Sequence, residues 1–177
     1  MINDGVVPEL AVGDRWDVEL MLSNRRLQPG DLHHSLELAP DRPVDAGPAP
    51  LPWYRFNARL LRRRPQGAGV HGHAIEVNGL FLGLSNTPRV PDAHIVSGWG
   101  VPTADRWNNQ VWAFPETRRN CTVRAITLHS APRIGARDTA VRFDWSRAIR
   151  RLVSSTKSRW EFNSMEADVF FVVDVTF

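Results

Sequence analysis

The stretch His71–Asn86, HGHAIEVNGLFLGLSN, decides the fold class. Asn78-Gly79 lies between two short apolar runs, 71–77 and 80–85, and that dipeptide is the strongest short-range signal for a two-residue hairpin turn. Upstream, Tyr54, Phe56, Ala58 and Leu60 alternate with Arg55, Asn57 and Arg59. Nearer the N-terminus, Trp16, Val18, Leu20 and Leu22 alternate with Arg15, Asp17, Glu19 and Met21. Alternation at period two puts one set of side chains on each face of a strand. Downstream, further strands are expected near 94–98, 110–114, 121–129 and 139–143. The closing run 167–177, ADVFFVVDVTF, is almost continuously apolar, so a strand central in a sheet is expected.

One segment reads differently. In DWSRAIRRLVSS the residues Trp145, Ala148, Ile149, Leu152 and Val153 recur at helical spacing, and Asp144 is placed to cap the amino end. A short amphipathic helix is therefore expected near residues 145–156, with Arg147, Arg150 and Arg151 on its other face. Pro40, Pro43, Pro48, Pro50 and Pro52 make 40–52 a proline-rich loop, because proline cannot donate to a ladder. Many strands, many turn residues and one helix predict an all-β fold: an antiparallel β-sandwich or jelly roll, built as a single domain over 1–177.

Composition narrows the function classes. The chain has 177 residues, enough to bury a core, and its one cysteine, Cys121, excludes an internal disulfide framework. A signal-like N-terminus and a long apolar run are both missing from the sequence, so a cytoplasmic protein without a membrane span is expected. Residues 1–53 carry nine acidic side chains and four arginines, whereas 54–177 carry eighteen basic and ten acidic ones. The formal net charge of +3 thus hides an acidic N-terminal third and a basic remainder. Lys157 is the only lysine, and arginine forms bidentate and stacking contacts that lysine does not.

The candidate sites follow from residue type and spacing. His71 and His73 share a strand face and are the metal candidates. An HxH followed by a glutamate resembles part of the cupin metal motif, but Glu76 comes too soon and strand parity turns it away. For catalysis there is no nucleophile elbow, no phosphate loop and no carboxylate pair with assigned acid and base roles, so no catalytic residue and no cofactor are expected. Arg62, Arg63 and Arg64 in one turn, Arg118 and Arg119 in another, and Arg147, Arg150 and Arg151 form three basic patches. Converging, they would track a phosphate backbone. Seven tryptophans bring rings suited to core corners or flat recognition surfaces. Trp99, Trp107 and Trp112 with Asn108 and Asn109 combine rings and amides, the chemistry that holds a sugar or a peptide.

The order of features from Tyr54 onward, with HGHAIEVNGLFLGLSNTPR, VRFDWSRAIRRL and DVFFVVDVTF, resembles the C-terminal β-sandwich domain of plant-type polyphenol oxidases. The resemblance implies a non-catalytic domain that covers a copper-bearing one. That family's lysine-phenylalanine-aspartate-valine motif has no counterpart here, and the copper histidines belong to a domain outside this sequence. The expected function is a non-catalytic binding or assembly module whose contacts are with a protein partner or another copy of itself. The alternatives are a nucleic-acid-binding module using the arginine patches, a carbohydrate-binding module, and a jelly-roll metalloenzyme using His71 and His73.

Overall fold

In the computed structural model, the residues described are 9–41, 43, 49–63, 72–85, 89–104, 114–134, 142–156 and 167–177. Their regular structure is strand with short 3-10 turns, and the sheet pairing is mostly antiparallel. The strands are β1 (Arg15–Pro29), β2 (Ser35–Leu38), β3 (Tyr54–Arg63), β4 (Gly72–Val77), β5 (Leu80–Ser85), β6 (Ile95–Ala104), β7 (Arg118–Ile134), β8 (Arg142–Phe143), β9 (Ile149–Val153) and β10 (Ala167–Thr176). The fold is all-β, as the alternation predicts. Contacts divide the chain into two compact units, one of Met1–Asp17, Gly47–Pro50 and Asn120–Phe177, the other of Val18–Ala46 and Leu51–Arg119.

In the second unit the hairpin forms where Asn78-Gly79 predicts it. Asn78 has φ 51° and Gly79 φ 80°, the paired positive values that match a tight turn to twisted strands. β4 pairs β5 across this turn and β3 on its other side, with Leu60 opposite Ile75 and Ile75 opposite Leu82. β3 also pairs β6, β6 pairs β1, and β1 returns to β5 through a short parallel register, Met21 to Gly83 and Leu22 to Leu84. These five strands close on one another, so each has a neighbour along both edges. Closure removes the open edges that a free sheet would leave. The face they enclose buries Leu22, Phe56, Ala58, Leu60, Ile75, Val77, Leu82, Leu84 and Val96. β2 joins outside this circuit, on β3 alone, with Ser35 opposite Asn57 and Leu38 opposite Tyr54.

Two small residues let backbones approach here. A Cβ at Gly100 would overlap Leu22 Cγ and lie 2.8 Å from both of its methyl carbons. A Cβ at Gly30 would run into Asn57 Oδ1. That matters because the buried Asn57 amide pins the connection into β2: its Nδ2 donates to the Asp31 carboxylate at 2.7 Å, to the Asp31 carbonyl at 3.0 Å and to the His33 carbonyl.

In the first unit β7 runs between β10 and β9. β10 lies antiparallel along it from Ala167–Pro132 to Thr176–Thr122, with a register shift at Asp174/Val175. It stands at the end of the strand order rather than centrally as its apolar run predicts, because that run reflects burial of its faces and not pairing of both edges. Leu10, Val123, Ile126, Leu128 and Phe171 form the core of this unit, with Trp16, Val153, Val169 and Val173 packed on it. Residues 10–14 are stitched in by backbone bonds, Val12 N–H to the Ser154 carbonyl at 3.0 Å and Gly13 N–H to the Val123 carbonyl at 2.8 Å. Leu10 N–H also donates to the Thr156 hydroxyl at 2.9 Å.

The helix expected near 145–156 does not form over its described residues. Asp144 does cap, its carboxylate accepting from Ser146 N–H at 3.1 Å, but the cap starts only the 3-10 turn Trp145–Arg147. Ala148 then turns extended, and Ile149–Val153 become β9. The reason is tertiary. The edge of β7 offers ladder partners from Ile126 to Ser130, and β-branched Ile149 and Val153 suit a strand as readily as a helix. Within the proline-rich loop, Pro40, Asp41, Pro43 and 49–52 are described and lie outside helix and strand.

Candidate functional site

The arginines of the second unit are held by this fold rather than gathered into a patch. Arg63 Nη1 and Nη2 donate to both oxygens of Glu116, at 3.0 and 2.7 Å, and its guanidinium lies 5.0 Å from the Phe114 ring centroid. Such a forked pair fixes geometry, and it holds the Glu116 carboxyl below the usual carboxylate range. Arg62 donates to the Pro91 carbonyl and lies 3.8 Å from Asp92. Arg119 donates to the Gly79 carbonyl at 2.7 Å, tying β7's start to the hairpin turn. Arg118 is exposed at the start of β7, and Arg64 lies outside the described residues.

Of the aromatic candidates, Trp99 is on β6 directly opposite Arg55, whose guanidinium covers its ring at 4.7 Å from the centroid. That is a cation–π contact, and it occupies one ring face. Trp107, Asn108, Asn109 and Trp112 lie outside the described residues.

Of the metal candidates, His71 also lies outside the described residues, while His73 is half-buried on β4 opposite Arg62. Glu76 is engaged elsewhere: it pairs with Arg59 at 3.2 Å and accepts from Gly79 N–H at 2.9 Å. Among the described residues no group of three His, Cys, Asp or Glu stands close enough to hold a metal ion. Cys121 is buried, its Sγ 3.4 Å from the Trp16 carbonyl, and burial with the Asp17 charge pushes its thiol upward, away from the reactive thiolate.

The first unit carries a feature that spacing did not isolate. His129 on β7 is buried, stacked on Phe170 at 4.8 Å and 5° between planes, and Trp145 leans on the same Phe170 at 5.3 Å. Arg150 on β9 stands opposite His129. Burial first, and then the Arg150 charge, push the imidazole below its ordinary 6.5. A lowered pKa makes the folded state bind fewer protons than the unfolded one. Stability is therefore full above pH 6.5 and falls as pH drops from there through the lowered value. Thermal melts from neutral to mildly acidic pH should show this loss as a falling midpoint. His129→Gln should remove that component, and Arg150→Gln should shrink it.

β9 itself is the most open element. It pairs with β7 alone among the described residues, and Ile149, Arg150, Arg151 and Leu152 are all exposed, Ile149 at 61% and Leu152 at 75%. Arg147, in the preceding turn, is exposed too. The third arginine patch therefore exists, but on the rim of a sheet. Large apolar side chains on an unpaired edge are unusual, because such an edge templates pairing with another chain. IRRLV held this signal in its alternation, but helical spacing fits the same residues.

Compared with protein-family models, curated proteins and solved structures, the chain matches none, so nothing beyond its own residues links it to the oxidase-covering domain it resembles. Among the described residues no helix is long and apolar enough to cross a membrane.

Proposed function

We propose that the chain is a non-catalytic binding or assembly module that makes protein–protein contacts, with self-association as its form. The observation that carries this reading is the β9 edge, where Ile149 and Leu152 stand exposed beside arginines on a strand that, among the described residues, is paired along one side. Edge strands bind by extending the sheet: main-chain bonds supply affinity and alternate side chains supply specificity. Arginine flanked by apolar anchors is also the composition of interface hot spots. In this reading the sandwich or jelly roll expected from the sequence gives way, in the second unit, to a small closed barrel of β1, β5, β4, β3 and β6.

The rival readings have less support. A nucleic-acid surface needs its arginines free for phosphate, yet Arg62, Arg63 and Arg119 are turned to Pro91, Glu116 and Gly79. A sugar platform on Trp99 would have to share the ring with Arg55. A metal site on His71 and His73 lacks a third ligand among the described residues. The cytoplasmic location remains part of the proposal.

The test is light scattering on a size-exclusion column over a wide concentration range, with absorbance at 260 and 280 nm and elemental analysis of the peak. Assemblies free of nucleic acid and metal, which Leu152→Asp dissociates, are expected. A monomer at every concentration, an assembly indifferent to Leu152→Asp, or stoichiometric nucleic acid or metal in the peak would overturn the reading.

A further inference from the structure

Resting on the reading of β9 as a protein-contact edge, we propose that its occupant is β2 of a second copy of this chain. The two edges are matched. Each is a short strand at the end of its pairing order, four residues in β2 and five in β9, and among the described residues each pairs with one neighbour only, β3 and β7 respectively.

Their side chains are complementary. β9 and its approach, 142–153, carry Arg142, Arg147, Arg150 and Arg151 against a single acid, Asp144. β2 and its flanks, 31–41, carry Asp31, Glu37 and Asp41 and no basic residue except His33 and His34. Glu37 and Asp41 are exposed, as are Arg147 and Arg150. The apolar anchors match as well: Leu38 is 62% and Leu32 90% exposed on the acidic side, opposite Ile149 and Leu152 on the basic side. Like-charged edges of a sheet repel, which keeps β9 from pairing with β9 and β2 from pairing with β2. An edge of one sign beside an edge of the other joins two unlike surfaces of neighbouring copies. Because the charges sit at an exposed rim, the contact weakens as salt screens them.

The experiment uses the full chain, by light scattering and sedimentation at low and high salt, with circular dichroism to verify that each variant folds. Arg150→Glu and Glu37→Arg should each weaken association by about tenfold, because each places like charges face to face. The double variant, with the charges exchanged, should recover most of the wild-type association. Failure of the double variant to recover overturns the pairing of these two edges. If Leu152→Asp dissociates the protein while Glu37→Arg does not, β2 is not the occupant and an acidic surface elsewhere is, with the protein-contact reading intact. If neither variant lowers the mass, both the inference and the reading beneath it fall.

Discussion

Gly100→Val is expected to destabilise the second unit by about 3 kcal/mol, the upper end of what overpacking costs, read as a lowered midpoint in urea denaturation. Gly100 sits on β6 between Tyr54 of β3 and Asn24 of β1, where three strands of the closed circuit meet. The space its side chain would need is filled by the fully buried Leu22, whose two methyls lie 2.8 Å from the position of a Cβ. Leu22 has nowhere to go, since Phe56, Leu84 and Val96 belong to the same packed cluster. Overpacking such a site forces off-rotamer side chains or separates the strands. The explanation carries its own control. Leu22→Ala alone should cost about 2–5 kcal/mol by leaving a cavity, yet in the double variant valine fills part of it. The combined loss should then fall short of the sum by about 1–3 kcal/mol, the sign of two residues sharing one volume.

In the first unit the largest effect is expected from Phe171→Ala, about 3–5 kcal/mol. Phe171 on β10 is fully buried opposite Leu128 on β7 and completes the cluster with Leu10, Val123 and Ile126. The deleted ring leaves a void that β10, held in register along β7, cannot collapse to fill. Phe171→Leu should cost far less. Phe177→Ala, six positions on and 65% exposed, should change stability by less than about 0.5 kcal/mol. A large effect at Phe177 and a small one at Phe171 would mean that the core of this unit is assigned to the wrong face of β10.

These two sites also mark how far the sequence can be read. Local pattern sufficed for the hairpin, since Asn78 and Gly79 both adopt the positive φ that their identity allows. It sufficed for β3, where alternation leaves one register, and for the existence of β10 but not for its place, because an apolar run reports buried faces and not paired edges. β1 runs seven residues past the end expected for it, to Pro29. β6 and β7 likewise extend beyond their expected ends. The closure of five strands was not legible. It depends on a parallel register between β1 and β5, more than sixty residues apart in sequence, and no local pattern encodes a non-local partner.

β2 and β9 failed for a related reason. SLEL is too short to show a period, and IRRLV satisfies the spacings of helix and strand together. Which one forms depends on the ladder that β7 offers. The candidate sites divide in the same way. Residue type marked the arginines, but Glu116, Pro91 and Gly79, which engage three of them, come from distant turns. Residue type therefore makes the three patches look equivalent, although Arg62, Arg63 and Arg119 are engaged by neighbouring groups.

The most direct test of the account is amide hydrogen exchange of Ile149–Val153 as protein concentration is raised. Strand addition at β9 predicts that its outward amides become protected as assemblies form, together with those of Ser35–Leu38, and that Leu152→Asp abolishes the protection. Exchange at β9 that stays fast and independent of concentration, in protein that light scattering shows to be assembled, would contradict it.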